Sequence, residues 1–317
     1  MQQKTISQPI SCSGVGVHSG SPVTLTLRPA KENTGIQFVR SDLKNLTQKE
    51  KTISANWENV TDTRLCTKLS NSYGTEISTV EHLMAALAGS SISNIIVEVS
   101  APELPIMDGS AAPFLFLIEC AGVKEQSAKT KYLKILKNIE VKNADGTSSA
   151  RLMPHDAFKV SYEFDFSKRN NLANQQYICS NMQDCFKEDL SRARTFGFYE
   201  DVEMLRKNGL AQGGSLQNAI VFDGDTILNP EGLRFEDECV RHKALDAIGD
   251  LYLSGYLIQG HFHGNGAGHA LNNKILCELF KDPTAWEIVE EEVSIDPRSA
   301  QDHFRAFITP GPQEAVA

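Results

Sequence analysis

The sequence contains no C-x-x-C pair; its seven cysteines, Cys12, Cys66, Cys120, Cys179, Cys185, Cys239 and Cys277, are odd in number and scattered. That pattern excludes a disulfide framework. Long apolar runs are missing too. The most apolar patch, APFLFLIECAGV, is interrupted by Glu119 and falls short of the roughly 20 residues a membrane helix needs. The opening MQQKTISQPIS lacks the basic segment and apolar stretch of an export signal. A cytoplasmic protein with no integral membrane segment is expected, and a monomer. Positive charge is also scarce, with 31 Lys and Arg against 40 Asp and Glu and a net charge of -9. Nucleic acid is therefore not an expected partner, although one basic pocket for a small phosphorylated ligand fits within that average. What is present, 41% hydrophobic and 22% charged residues over 317 positions, is the composition of a globular protein long enough for two domains.

Val23, Leu25 and Leu27 alternate with Thr24 and Thr26 as in a half-buried strand, and Ile36 and Phe38 in GIQFVR suggest its partner. Ser78-Thr79-Val80-Glu81 has capping-box spacing before HLMAALAG, a helix ending on Gly89, and NIIVEV follows as a buried strand. A further helix is expected over Ala112 to Ala121. The polar stretch from Glu125 to Thr130 places the domain boundary, after which KYLKILKNIEV, FKVSYEFDF and QQYICS read as strands. Helices return at Glu236 to Ser254 and His269 to Lys281, with the strand-like YLIQGHF between them. Each half thus runs strands, helix, strand, helix, which favours two α+β domains over one doubly wound sheet. EHLMAALAG from Glu81 and RHKALDAIG from Arg241 each carry a histidine with glycine seven residues later. If the halves pack about a pseudo-twofold axis, His82 and His242 converge in the cleft between them.

Within VRHKALDAIGDLY, His242, Asp246 and Asp250 are spaced four apart, so on a helix they lie in one row beside Ala244, Leu245, Ile248 and Leu251. Such a row is commonly a solvated or ion-paired face. Carboxylates bordering an apolar surface, however, demand pairing or metal. His82, His242 and Asp246 together give two nitrogens and one oxygen, suiting zinc with a fourth position open for water, the composition of a hydrolytic site. Glu81, beside His82, is either the general base or a favourable acid in a first helical turn. His269, opening the last helix, would take its tautomer or its charge from Asp250. In GNGAGHALNN the glycines Gly264, Gly266 and Gly268 are read as a tight turn, because the G-K-[ST] ending of a phosphate loop is absent. Cys239 is read as a small buried hydrophobe, and His261 and His263 as structural or exposed.

Seven ordered blocks, GVGVHSG, STVEHLMAALAG, IMDGSAAPF, SRARTFGF, GGSLQNAIVFD, VRHKALDAIGDLYL and GHALNNK, resemble the zinc-dependent UDP-3-O-acyl-N-acetylglucosamine deacetylases of bacterial lipid A biosynthesis. The resemblance covers almost the whole chain. It implies His82, His242 and Asp246 as zinc ligands (iron(II) suits the same set), Glu81 as general base, His269 as proton donor beside Asp250, and Thr195 as hydrogen-bond donor to the oxyanion. It further implies substrate contacts at Lys243, Phe196, Leu65, Cys66 and His18. The implied fold is α+β: two related domains, 1–127 and 128–305, each a sheet with helices on one face, the helices sandwiched between the sheets, and a tail at 306–317. Each domain carries a small insert, and that near 193–225 would form an acyl-chain passage. The implied substrate is UDP-3-O-(3-hydroxyacyl)-N-acetylglucosamine, which loses its N-acetyl group. The residues alone leave open a zinc hydrolase for another N-acetylated sugar, or a non-catalytic zinc domain. Two departures stand out: no Lys or Arg lies between Gly260 and His269, where the family commonly has a base, and Arg64 precedes Leu65 where a more neutral side chain is frequent.

Overall fold

The computed structural model describes residues 1–167 and 174–290; the end of the second expected domain and the tail at 306–317 lie outside the described residues. The architecture is mixed α+β. Six α-helices are described: α1 Glu81–Gly89, α2 Ala112–Ala121, α3 Met182–Cys185, α4 Tyr199–Lys207, α5 Glu238–Tyr252 and α6 His269–Lys281.

The first sheet runs Ile10–Val15, Pro22–Pro29, Ile95–Val99, Ile36–Arg40, Thr52–Ser54. Val23, Leu25 and Leu27 face inward and Thr24 and Thr26 outward, as the alternation requires. The strand of Ile36 and Phe38 is not their partner, however. Ile95–Val99 inserts between them, antiparallel to Pro22–Pro29 and parallel to Ile36–Arg40. The second sheet repeats this plan: Ile139–Lys142, Ser149–Met153, Leu257–Asn265, Phe158–Phe164, Gln175–Cys179, with antiparallel, antiparallel, parallel and antiparallel pairings in that order. Tyr132–Ile135 and Trp286–Val289 extend it. In both sheets the central strand is the one flanked by two helices in sequence, so the internal repeat seen in the two histidine segments extends to the topology.

The polar stretch after Gly122 is itself a strand, Val123–Lys129, antiparallel to Gln2–Ile6. Two small three-stranded sheets complete the fold, Val60–Asp62, Lys68–Ser70, Glu76–Ser78 and Phe196–Phe198, Ile220–Asp223, Thr226–Ile227.

Helices α1 and α5 pack against each other at the centre of the continuous core. Their surfaces are buried almost all round, which suits the apolar α1 and forces the polar row of α5, Glu238, His242, Asp246 and Asp250, to find partners inside the protein. Gly249 on α5 faces the backbone of α1 so closely that a Cβ there would stand 2.0 Å from the Glu81 carbonyl oxygen. The expected capping box does not form. Thr79 adopts φ 59° and gives its hydroxyl to Glu103 Oε1, while Ser78 donates to the Pro102 carbonyl; the α1 N-terminus has no side-chain cap.

Candidate metal centre and active site

The close approach of α1 and α5 brings His82 and His242 together, ring centroids 5.0 Å apart. Asp246, one turn beyond His242, completes a buried group whose three ligand atoms all lie within 4.8 Å of one another. Asp246 Oδ1 is 3.3 Å from His242 Nε2 and 3.5 Å from His82 Nε2. Ligand atoms at about 2.0–2.2 Å from a tetrahedral ion stand roughly 3.3–3.6 Å apart, so these edges match a metal cradle. Two further observations agree. Asp246 Oδ1 is buried and accepts no hydrogen bond, a costly state unless a cation meets it. His242 Nδ1 donates to the Ala193 carbonyl at 3.0 Å, which leaves the Nε2 lone pair facing the group. Burial pulls the His242 pKa down to about 4, keeping the ring neutral. Burial also works against the Asp246 carboxylate, but the His242 and His82 imidazoles, with Lys243 behind them, outweigh it and hold its pKa well below the usual range. The residues present therefore fit a divalent ion of the zinc or iron(II) type.

Beside this group lies an acid-base pair. His269, at the start of α6, donates from Nδ1 to Asp250 Oδ2 at 2.8 Å, and its Nε2 stands 3.9 Å from Glu81 Oε1. Burial opposes the imidazolium, yet the charge and hydrogen bond of Asp250, with Glu81 and Asp246 behind it, raise the His269 pKa to about 9. Glu81 is not a solvated first-turn acid but 3% exposed. Burial raises its pKa, against the opposing pull of His269 and His82. Asp250, one turn after Asp246 on α5, accepts also from Thr67 Oγ1 at 2.5 Å and Asn272 Nδ2 at 2.9 Å.

A cavity of about 410 Å³ opens onto both clusters, lined by Thr63, Leu65, His82, Asn143, Ser148, Thr195, Phe196, His242, Lys243, Asp246, Gly266, Gly268, His269, Ala270 and Leu271. Of the residues singled out in the sequence, Thr195, Phe196, Lys243 and Leu65 are thus at the site. Thr195 is pinned by its N–H to the Gly109 carbonyl and its carbonyl to the Ile220 N–H, both 2.8 Å. Lys243 Nζ lies 3.6 Å from Asp246 Oδ2 and 5.6 Å over the Phe196 ring. Leu65 is 53% exposed with φ 65°. Cys66 and His18 do not line this cavity. Cys66 is buried, its thiol pushed up to about 12 chiefly by that burial. The His18 N–H donates to Glu103 Oε1 at 2.8 Å, and burial lowers the ring's pKa.

Arg64 turns outward onto Asp62 at 2.7 Å. Cys239 packs with Phe166, Ile220 and Phe222, as its reading as a buried hydrophobe requires. His261 and His263 sit on the central strand of the second sheet and share the Ser161 hydroxyl, at 2.7 and 2.9 Å. Of the three glycines before His269, only Gly266 needs its freedom of φ, at 55°. Gly264 instead makes room for the Tyr162 ring, and Gly268 is extended. The sequence reading missed Thr67, Asn272, Asn143 and Ser148. The last two flank the turn signal Ala144-Asp145-Gly146, but nothing in their own pattern marks a site.

The profile of the UDP-3-O-acyl N-acetylglycosamine deacetylases (LpxC) matches residues 3–281. The UDP-3-O-acyl-N-acetylglucosamine deacetylase of Shewanella oneidensis is 48% identical over 295 residues, 93% of this chain and 94% of that protein. Proteins of the same name from Shewanella halifaxensis and Shewanella baltica match to the same extent. Both clusters and every cavity-lining residue fall inside the matched region. The chain therefore belongs to the UDP-3-O-acyl-N-acetylglucosamine deacetylases, the amidohydrolase family of lipid A biosynthesis.

Proposed function

We propose that this chain hydrolyses the 2-N-acetyl group of UDP-3-O-(3-hydroxyacyl)-N-acetylglucosamine, giving the free amine and acetate, with one zinc ion held by His82, His242 and Asp246. The observation that carries this reading is the unpartnered Asp246 Oδ1 between two imidazoles, beside a buried carboxylate and imidazole. Zinc bound there supplies an electrophile that polarises the acetyl carbonyl and makes water nucleophilic near neutral pH. The rest falls to the chain. Glu81, its proton affinity raised by burial, takes the proton from the attacking water. His269, protonated below about pH 9, donates toward the developing oxyanion or the departing amine, and Thr195 at the cavity wall adds a hydroxyl donor. Lys243, Phe196 and Leu65 contact the sugar and the start of its acyl chain, and Cys66 and His18, which lie outside the cavity lining, are assigned to substrate binding by the resemblance alone. The insert near 193–225 forms the acyl-chain passage.

The repeated sheet plan supports two domains, 1–127 and 128–305, with helices between the sheets. Seven free thiols suit a reducing, cytoplasmic setting, and the reading includes a monomer. No described helix is long and apolar enough to cross a membrane.

The deciding assay compares acylated and unacylated UDP-N-acetylglucosamine. Each buried methylene is worth roughly 0.8 kcal/mol, so kcat/KM rises steeply with acyl length. Equal values for the two substrates would instead favour a hydrolase for another N-acetylated sugar.

A further inference from the structure

Thr67 stands between the two proton-handling groups and belongs to neither. It directly precedes the strand Lys68–Ser70 in the first small sheet and is 1% exposed. Its backbone N–H donates to Glu81 Oε2 at 3.1 Å, and its hydroxyl donates to Asp250 Oδ1 at 2.5 Å. The remaining oxygens of those carboxylates face the chemistry. Glu81 Oε1 is directed at His269 Nε2, and Asp250 Oδ2 accepts from His269 Nδ1. A carboxylate on a single-bond stem rotates unless its far oxygen is held, and a buried oxygen left without a donor costs more than the bond itself contributes. One residue therefore fixes the rotation of both carboxylates that flank the same imidazole.

We propose that Thr67 is a positioning residue for the deacetylation: a clamp whose N–H sets the orientation of Glu81 and whose hydroxyl sets that of Asp250, and through it the aim of His269. The assignment rests on the deacetylase reading above. Thr67 does not line the cavity, and its N–H and hydroxyl go to Glu81 and Asp250 rather than to the three metal-ligating side chains, so its removal acts on turnover and not on substrate or metal binding. Asn272, which shares Asp250 Oδ2 with His269, holds the opposite oxygen and cannot replace the lost donor on Oδ1.

The test uses the full-length, zinc-loaded enzyme. Thr67→Val keeps the shape and the backbone N–H but removes the hydroxyl; kcat falls roughly ten- to hundredfold, the scale of one hydrogen bond to a charged group, with KM and zinc content unchanged. Thr67→Ser, which restores the donor, returns kcat to within a few-fold of the parent. In an Asp250→Asn background the Thr67→Val effect shrinks to about twofold or less, because the two residues act through one contact. Thr67→Ala repeats the loss and serves if the valine variant does not fold. An inactive parent enzyme sinks the deacetylase reading and this assignment with it. An active parent whose Thr67→Val and Thr67→Ala variants keep parental kcat, or lose it equally in the Asp250→Asn background, overturns the clamp alone.

Discussion

Asp246 and Asp250 are the same residue type one helical turn apart, 3% and 2% exposed, yet their surroundings give them different work. Asp246 Oδ1 faces two imidazole nitrogens and accepts nothing, whereas Asp250 is satisfied by Thr67, His269 and Asn272. Their spacing was legible in the sequence because i, i+4 carboxylates must share a helix face. Thr67 and Asn272 were not, since they reach Asp250 from 183 and 22 residues away. Two predictions belong at this scale. His82→Ala, His242→Ala and Asp246→Ala each lower the metal bound per purified chain by removing one ligand; elemental analysis in which all three retain the parent's metal would refute the ligand set. The second concerns pH. His269 has its pKa raised to about 9, so a reaction needing its proton is supported below that value and lost as pH rises through it. Asp250→Asn removes the anion that opposes burial, and the alkaline limb of kcat/KM moves down toward or below the ordinary 6.5 of histidine. His269→Ala costs on the order of a hundredfold in kcat. A limb unmoved in both variants would assign the proton to another group.

At the scale of elements, the helices were readable where apolar residues recur through several turns, as in α2, placed over Ala112–Ala121 as expected, and α6 over His269–Lys281. The order of strands was not readable. Whether Phe38 sits beside Leu25 or one strand further depends on where Ile95–Val99 inserts, and that pairing is made across more than fifty residues of chain. The capping box at Ser78 failed for a similar reason: the Pro102 carbonyl, on another segment, takes the Ser78 hydroxyl, and the Thr67 N–H takes Glu81 Oε2.

The two glycines seven residues after the histidines were legible as a repeat, and the structure separates their roles. At Gly249 a Cβ would meet the backbone of α1, 2.0 Å from the Glu81 carbonyl oxygen and 3.1 Å from the Ala85 nitrogen. At Gly89 the obstacle is the buried Phe186 ring at 2.1 Å, a side chain and not the backbone of the facing helix. Gly249→Ala must push α1 and α5 apart, costing at least the roughly 1–3 kcal/mol of an overpacked core and spreading His82 from His242. Gly89→Ala overpacks the core at Phe186 but does not part α1 from α5, and leaves metal binding unchanged. Thermal unfolding and zinc titration of both variants check this contrast, and equal losses of zinc affinity would mean that the helix-helix approach does not set the site.

For the molecule as a whole, the question is how the segment 193–225 is held beside a buried site. Helix α4 in this segment contributes no buried residue, so its own packing does little to fix it. The join is made by Arg194, immediately before Thr195 and Phe196. Its Nε donates to Glu238 Oε1 at 2.8 Å, with the two side chains 2% and 0% exposed. The backbone N–H of Arg194 and that of Arg234 also donate to the Glu238 carboxylate, at 3.0 and 2.6 Å. One carboxylate at the start of α5 thus gathers the chain before α4, at Arg194, and the chain after it, at Arg234. SRARTFGF was visible in the sequence as a block, but not as an ion pair, because Glu238 lies 44 residues on.

Breaking a buried pair from one side strands the other charge, which costs about 3–5 kcal/mol. Arg194→Met should lose that much stability in urea unfolding, and kcat/KM should fall as Thr195 and Phe196 lose their footing. Glu238→Gln keeps an oxygen for one of the two backbone donors, which use different oxygens of the carboxylate, and removes the charge. Combined with Arg194→Met it should therefore be more stable than Arg194→Met alone by at least about 1 kcal/mol, since no uncompensated ion remains in the core. Strict additivity of the two losses would show that the charges do not sense each other. The segment would then be held by its apolar contacts among Phe166, Phe196, Ile220 and Phe222, and Phe222→Ala would become the substitution that detaches it.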